Sequence, residues 1–337
     1  MHVSVVIPLY NKARHIGRAV ESVLRQTHTV FDLVIVDDGS TDLSVQRVLE
    51  FSDPRIRLIR QENAGVSVAR NRGVAEARGE WVGFLDADDE WLPDFLETVV
   101  RLHAQFPEAK VCGTAYAMQS VTGKLTPVKS VNTDYASLIN FWQAATVAQP
   151  IHPSSMLVDK CALVAGGGFD PKLIRLEDTE LLVRMALRHP IAYSPEVKVV
   201  YHMEAENRTD GYLYSGVYPF FQAARAFLKE GDSRTNLPKE AKKYLALMET
   251  RSLSANWLTG NRPAMREIIR NCKGIRGFRM RCHWWWLLSL IPHKLVLAGW
   301  AVRSLIARCF GRQGKMNPVR SIYRSTTSNL YDKCLLK

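Results

Sequence analysis

Three carboxylates stand within four residues at Asp86, Asp88 and Asp89, directly after the apolar run Trp81-Val82-Gly83-Phe84-Leu85. Carboxylates this close repel one another, so the arrangement calls for a positive charge among them. If the extended backbone continues, Asp86 and Asp88 point to one face and reach the same ion or ligand. Hard oxygen donors suit Mg²⁺ or Mn²⁺, and Mg²⁺ is commonly held by one or two carboxylates together with substrate phosphates. The other reading is an acidic loop capping the next helix, with Asp89 or Pro93 near its start. A second acidic pair, Asp37-Asp38, ends another apolar run and precedes Gly39-Ser40-Thr41-Asp42. Gly39 and Ser40 suit a tight turn. Two adjacent Asp exceed what a turn needs, and Asp38 could accept from a nucleobase N–H or from ribose hydroxyls. Tyr10 offers a flat apolar body with a polar tip, against which a base can lie. A third pair, Glu177-Asp178, precedes the apolar face formed by Leu181, Leu182, Met185 and Ala186. A carboxylate there is either a helix cap or a general base. Arg70 either meets a phosphate or the acidic cluster, or lies on a solvated helix face.

The elements that must hold these groups alternate. Val3–Ile7 reads as a strand, and Ile16, Ala19, Val20, Val23 and Leu24 have the spacing of a one-sided helix. Strand Phe31–Val36, helix Leu43–Phe51, strand Ile56–Ile59, helix Gly65–Ala77 and strand Glu80–Leu85 follow. Continuous apolar strands between helices predict a doubly wound, mostly parallel sheet, and such sheets bind ligands at the carboxyl ends of their strands. Further along, the pattern predicts helix Leu96–Phe106, strand Lys110–Met118, a loop or hairpin over 119–134, and helix Tyr135–Ala145. It continues with a strand ending His152–Val158, a turn at Gly166-Gly167-Gly168, and strand Val197–Tyr201 before His202.

The motifs Val5-Val6-Ile7-Pro8-Leu9-Tyr10-Asn11, Val36-Asp37-Asp38-Gly39-Ser40-Thr41-Asp42, Asn63-Ala64-Gly65-Val66-Ser67-Val68-Ala69-Arg70-Asn71-Arg72-Gly73 and Phe84-Leu85-Asp86-Ala87-Asp88-Asp89 follow one another in this order. Together they resemble the signature of the family 2 glycosyltransferases with the GT-A fold. The likeness is clear over about residues 3–100 and weaker to about 205. It implies a Rossmann-like GT-A domain over residues 1–210 and an inverting transfer from a nucleotide-diphosphate sugar, with UDP or dTDP expected, to a glycan or lipid-linked acceptor. It implies that Pro8, Tyr10 and Asp38 hold the nucleoside, that Asp86 and Asp88 hold a divalent metal and the donor, and that Asp178 is the base. Asn11, Asp37, Arg70, Ala87, His152 and Glu177 complete the expected substrate-binding set. His202 is expected beside the metal, because a histidine after the last strand of GT-A proteins often touches the metal or diphosphate. Glu204, Asn207 and Arg208 are expected on the acceptor side.

Residues 211–272 read as a helical extension, with helices over Tyr218–Phe227, Lys239–Leu258 and Pro263–Cys272. From residue 271 onward there are thirteen Lys and Arg against one acid, Asp332, so the +12 net charge resides wholly in that end. The end carries Trp284-Trp285-Trp286 among basic residues and then Leu295–Phe310, interrupted by Arg303 and Arg308. Tryptophans and basic residues together suit the surface of an anionic membrane, and Pro292 and Lys294 break the run short of a span. Residues 273–337 are therefore expected either to lie on a membrane surface or to pack as helices on the catalytic domain, with the basic end from Arg312 disordered. A surface polysaccharide, lipopolysaccharide or glycolipid would be the natural product.

No secretory leader is expected before Val3, and the six scattered cysteines form no Cys-x-x-Cys pair, so a cytoplasmic setting at the inner face of the membrane is expected. A sugar-nucleotide pyrophosphorylase would want a Gly-rich phosphate loop where Pro8-Leu9-Tyr10-Asn11 stands. A nucleic-acid-binding protein would need its basic residues on a recognition module, and none is expected to be bound. A catalytically silent nucleotide-binding relative is the remaining alternative.

Overall fold

The computed structural model of the protein describes residues 1–204, 216, 217, 237–272, 275 and 278–291. They fall into two compact units, residues 1–204 and the remainder. The expected helix Tyr218–Phe227, Asn207, Arg208, the run Leu295–Phe310 and the basic end from Arg312 lie outside the described residues.

The first unit opens with β1 (Val3–Leu9), α1 (Ile16–Leu24), β2 (Phe31–Asp38), α2 (Ser44–Leu49), β3 (Ile56–Gln61), α3 (Val66–Glu76) and β4 (Trp81–Phe84). These strands pair parallel in the order β3-β2-β1-β4. Every residue of β2 and β4 is buried, as a strand covered on both faces requires. Because the strands are parallel, the chain leaves Leu9, Asp38 and Phe84 at one edge, where the acidic pairs gather.

The chain continues through β5 (Glu90–Trp91), α4 (Phe95–Gln105), β6 (Val111–Gln119), β7 (Leu125–Pro127), β8 (Ser137–Leu138), α5 (Phe141–Val147), β9 (Met156–Asp159), α6 (Lys160–Ala165), α7 (Glu177–Arg188) and β10 (Ile191–His202). The sheet is mixed here: β9 lies antiparallel between β4 and β6, and β10 runs parallel to β6. The 119–134 stretch does form a hairpin, β6–β7. The helix expected over Tyr135–Ala145 is corrected to a short strand followed by α5, because the Asn140 side chain caps at Gln143 N (3.1 Å) and starts the helix later.

α3 must approach β1 closely to aim Arg70 into the crevice. Its Gly73 allows this, since a Cβ there would sit 2.2 Å from Val6 Cγ1. Its entry residue Gly65 takes φ 93°, a conformation that side chains resist.

The second unit contains α8 (Lys239–Leu258), α9 (Arg262–Cys272) and α10 (Arg279–Ser289). Leu253, Met265, Ile268, Cys272, Phe278 and Cys282 are among the residues that form its core. Gly73→Ala is expected to destabilise the first unit by about 1–3 kcal/mol through overpacking. Equilibrium urea unfolding measures this, and an unchanged midpoint would contradict the close approach.

Candidate functional site

The loop after β2 builds the entrance to α3. Asp38 is buried, and its carboxylate accepts from Gln61 Nε2 (2.7 Å), Ala64 N (2.9 Å) and Gly65 N (2.8 Å). Asp37 is fully buried and accepts from Ser40 N (3.1 Å) and Arg60 Nε (3.4 Å). Both acids therefore shape the turn, and the lone pairs left on Asp38 are what it can offer a ligand. Pro8 is half-buried near the end of β1, and Tyr10 is 47% exposed beyond it. Asn11 sits at φ 51° and accepts from Thr41 N at 2.8 Å, tying the first loop to the second.

Arg70 is the centre of the site. It is only 3% exposed, so the solvated-face reading is overturned. Its guanidinium donates to Asp86 Oδ1 (2.7 Å) and to Glu177 Oε1 (3.0 Å), and it lies over the Phe169 ring at 5.1 Å. Burial works against its charge, but Asp86 and Glu177 outweigh burial and leave its pKa raised. The next residue, Asn71, donates to Phe169 O (2.7 Å) and accepts from Phe169 N (2.9 Å). One helix thus joins the end of β4 to the loop before α7.

The three Asp of the strand-end loop have separate fates. Burial would raise the Asp86 pKa, yet Arg70 overrides it and holds the carboxyl below its ordinary range. Asp88 pairs with Lys12 Nζ at 2.6 Å, and its carbonyl accepts from Arg18 on α1 at 2.8 Å. Asp89 is buried and accepts from Ser154 Oγ at 2.6 Å. Burial, with Asp86 and Asp88 beside it, pushes its pKa well up. The reading of Asp89 as a helix cap is corrected: α4 begins at Phe95, and Asp94 is its cap residue. Ala87 is buried between the two outer carboxylates. Ser154 also accepts from Asp86 N (3.1 Å), so the turn before β9 underpins the acidic loop.

His152, at the start of that turn, is buried edge-on to Tyr116 and Tyr201. Burial lowers its pKa to about 4, with Asp86 opposing and Arg70 adding, so the imidazole is neutral at ordinary pH. Its Nε2 has no hydrogen-bond partner among the described residues, which leaves a polar atom for a ligand.

Glu177 and Asp178 open α7, but neither is its cap. Leu176 holds that position with φ 62°, a strained conformation for a branched side chain. Asp178 Oδ1 accepts from Thr179 N at 2.6 Å. Burial, with Asp178 beside it, raises the Glu177 pKa against the pull of Arg70.

His202 ends β10 beside the acidic loop, where its backbone hydrogen-bonds Asp89. Its Nε2 meets Glu90 Oε2 at 3.0 Å. Among the described residues no three His, Cys, Asp or Glu side chains gather as a metal cluster. Asp86 and Asp88 still fit a hard divalent cation. Each gives one oxygen to its cationic partner, Asp86 Oδ1 to Arg70 and Asp88 Oδ2 to Lys12, and the second oxygen of each remains. One or two carboxylates plus substrate phosphates are the donor set that Mg²⁺ commonly takes. Glu204 pairs with Arg18 at 3.1 Å. The residues not anticipated from sequence are Lys12, Arg18 and Ser154. Lys12 and Arg18 both donate to Asp88, and a cleft of about 410 Å³ runs along Asn11, Lys12, Arg14 and Asp42.

This arrangement of a Rossmann-like sheet with acidic loops at its carboxyl edge is a GT-A glycosyltransferase fold. Residues 4–163 match the model described as "Glycosyl transferase family 2", and this part of the chain belongs to that family. It is 46% identical over 101 residues to the glycosyltransferase YibD of Escherichia coli K12, covering 29% of this chain and 29% of that one. It is 41% identical over 101 residues to an Escherichia coli protein, the UDP-Glc:alpha-D-GlcNAc-diphosphoundecaprenol beta-1,3-glucosyltransferase WfgD, covering 30% of this chain and 40% of that one. The matched stretches span less than half the length of these relatives. Residues 1–349 of TarS from S. aureus, crystallised with UDP-GlcNAc, share the fold at a TM-score of 0.66 and 20% identity, over 86% of this chain and 88% of that one.

Arg70→Met leaves two partly buried carboxylates without their buried cation and is expected to cost about 3–5 kcal/mol. Because Asp86 has a lowered pKa in the folded state, its contribution is present above the unfolded carboxylate pKa of about 3.9 and is lost as pH falls. The stability gap between wild type and Arg70→Met should therefore narrow with acid in urea titrations run from pH 7 downward. A gap independent of pH would contradict the ion-pair account.

Proposed function

We propose that the protein is an inverting glycosyltransferase that moves a sugar from a nucleotide-diphosphate donor to an acceptor hydroxyl. The observation that carries this reading is the single buried guanidinium binding Asp86 on one side and Glu177 on the other. It brings the donor-side loop and the start of α7 to one crevice, with Asp178 the next residue along the helix.

In the proposed reaction Pro8, Tyr10 and the remaining capacity of Asp38 receive the nucleoside. Asp86 and Asp88 would hold Mg²⁺ or Mn²⁺, which supplies positive charge where the nucleoside diphosphate gathers negative charge on leaving. The acceptor oxygen attacks the anomeric carbon on the face opposite the diphosphate. As the new C–O bond forms, the bond to the phosphate oxygen breaks and its electron pair leaves with the nucleoside diphosphate. The acceptor proton passes to the Asp178 carboxylate, and a single displacement inverts the centre. Asp178 suits this work because its helix position leaves the backbone cap to Leu176 and because it uses one oxygen on Thr179. Arg70 holds Glu177 beside it. Burial keeps His152 neutral, so it offers hydrogen bonding rather than charge to the sugar.

The donor is proposed to be a UDP-sugar, supported by the name of WfgD. The same name supports a lipid-diphosphate-linked acceptor and a place in glycolipid or surface polysaccharide synthesis.

Asp178→Asn preserves shape while removing the proton acceptor. It is expected to lower turnover by about 10²–10⁴-fold while donor affinity stays within about twofold. Single-turnover assays with isothermal titration of the nucleotide would measure both. Retained turnover would remove Asp178 from the role of base.

A further inference from the structure

α10 has two faces. Phe278, Cys282 and Ser289 are buried and Trp285 is half-buried, and this side packs into the core with α8 and α9. Trp257 Nε1 donates to Leu288 O at 3.0 Å, and Arg262 donates to the Ile291 carbonyl, so the end of α10 is pinned as well. The other side is apolar and exposed. Met280 is 86% exposed, Trp284 68% and Leu290 55%, with Trp286, Leu287 and Ile291 beside them. At 100° per residue these six positions fall within an arc of about 160°, which also holds the exposed Arg279 and His283.

We infer that this exposed face of α10 docks on an anionic lipid surface, lying in the plane of the headgroups. The occupant is argued from charge and side-chain type together. The thirteen basic residues beyond position 270, opposed by one acid, complement anionic lipid. Tryptophan has an apolar body and a polar N–H, the combination favoured at a membrane–water boundary. No described helix is long and apolar enough to cross a membrane. An amphipathic helix of this kind enters the boundary by its apolar face while the opposite face keeps its protein packing.

The inference does not depend on the proposed reaction, and its test reads binding alone. The full chain would be sedimented with vesicles of phosphatidylcholine and with vesicles containing phosphatidylglycerol, at about 0.1 M and about 0.5 M salt. The expected result is partitioning roughly tenfold or more stronger on the anionic vesicles, weakened by salt. Trp284→Glu combined with Leu287→Glu should reduce that partitioning at least tenfold while circular dichroism and melting stay unchanged. Both side chains are exposed, and Met280→Glu serves as a milder second variant. Equal binding of wild type to both vesicle types, or undiminished binding by folded variants, would overturn the inference. A lipid-free dimer that these substitutions convert to monomer, without vesicle binding by wild type, would assign the face to a second copy of the chain.

Discussion

The site depends on one buried cation. Asp86 and Glu177 belong to segments 91 residues apart, and Arg70 is the group that touches both. Two like charges 4 Å apart interact by about 4 kcal/mol at an effective dielectric of 20. An acidic crevice is therefore not a stable arrangement without an internal counter-ion. Arginine suits the task because its fork reaches two carboxylates at once and its charge survives burial. The rest follows from aiming that side chain: Asp38 fixes the entrance to α3, Gly73 lets the helix lie on β1, and Asn71 clamps the loop bearing Phe169.

The same electrostatics separates three aspartates that look equivalent in sequence. Asp86 faces arginine and stays ionised. Asp88 faces Lys12 at the rim, where a second oxygen remains for a ligand. Asp89 is buried behind them, and burial together with its two neighbours raises its pKa, while Ser154 holds it in place. One loop thereby presents two hard oxygen donors and keeps its third carboxylate as internal scaffolding. The mixed half of the sheet makes this arrangement possible, since the turn leading into antiparallel β9 carries Ser154 against the loop.

Much of the parallel half was legible in the sequence. Its strands are continuous apolar runs ending in acidic pairs, and the family-like motifs fall where those strands end. The burial of Arg70 was not legible, because Asp86 lies sixteen residues away and Glu177 one hundred and seven. Lys12 was missed for the same reason, its partner Asp88 standing seventy-six residues on. The contact of His202 with Glu90 was not legible either, because position after a last strand says nothing of such a neighbour. For Asp178 the sequence left a helix cap beside the expected base, because caps are commonly Asp, and a strained Leu176 fills the cap position. In α10 sequence showed tryptophans and charge, but only packing separated the face that meets α8 and α9 from the face left outside.

The most direct measurement is calorimetric titration of the protein with a panel of nucleotide sugars, each with Mn²⁺, with Mg²⁺ and with chelator. Binding of one donor class that is strengthened by the metal, and loses that strengthening in Asp88→Asn, is the result this account predicts. Failure of the folded protein to bind any nucleotide sugar, or binding indifferent both to metal and to Asp88, would contradict it.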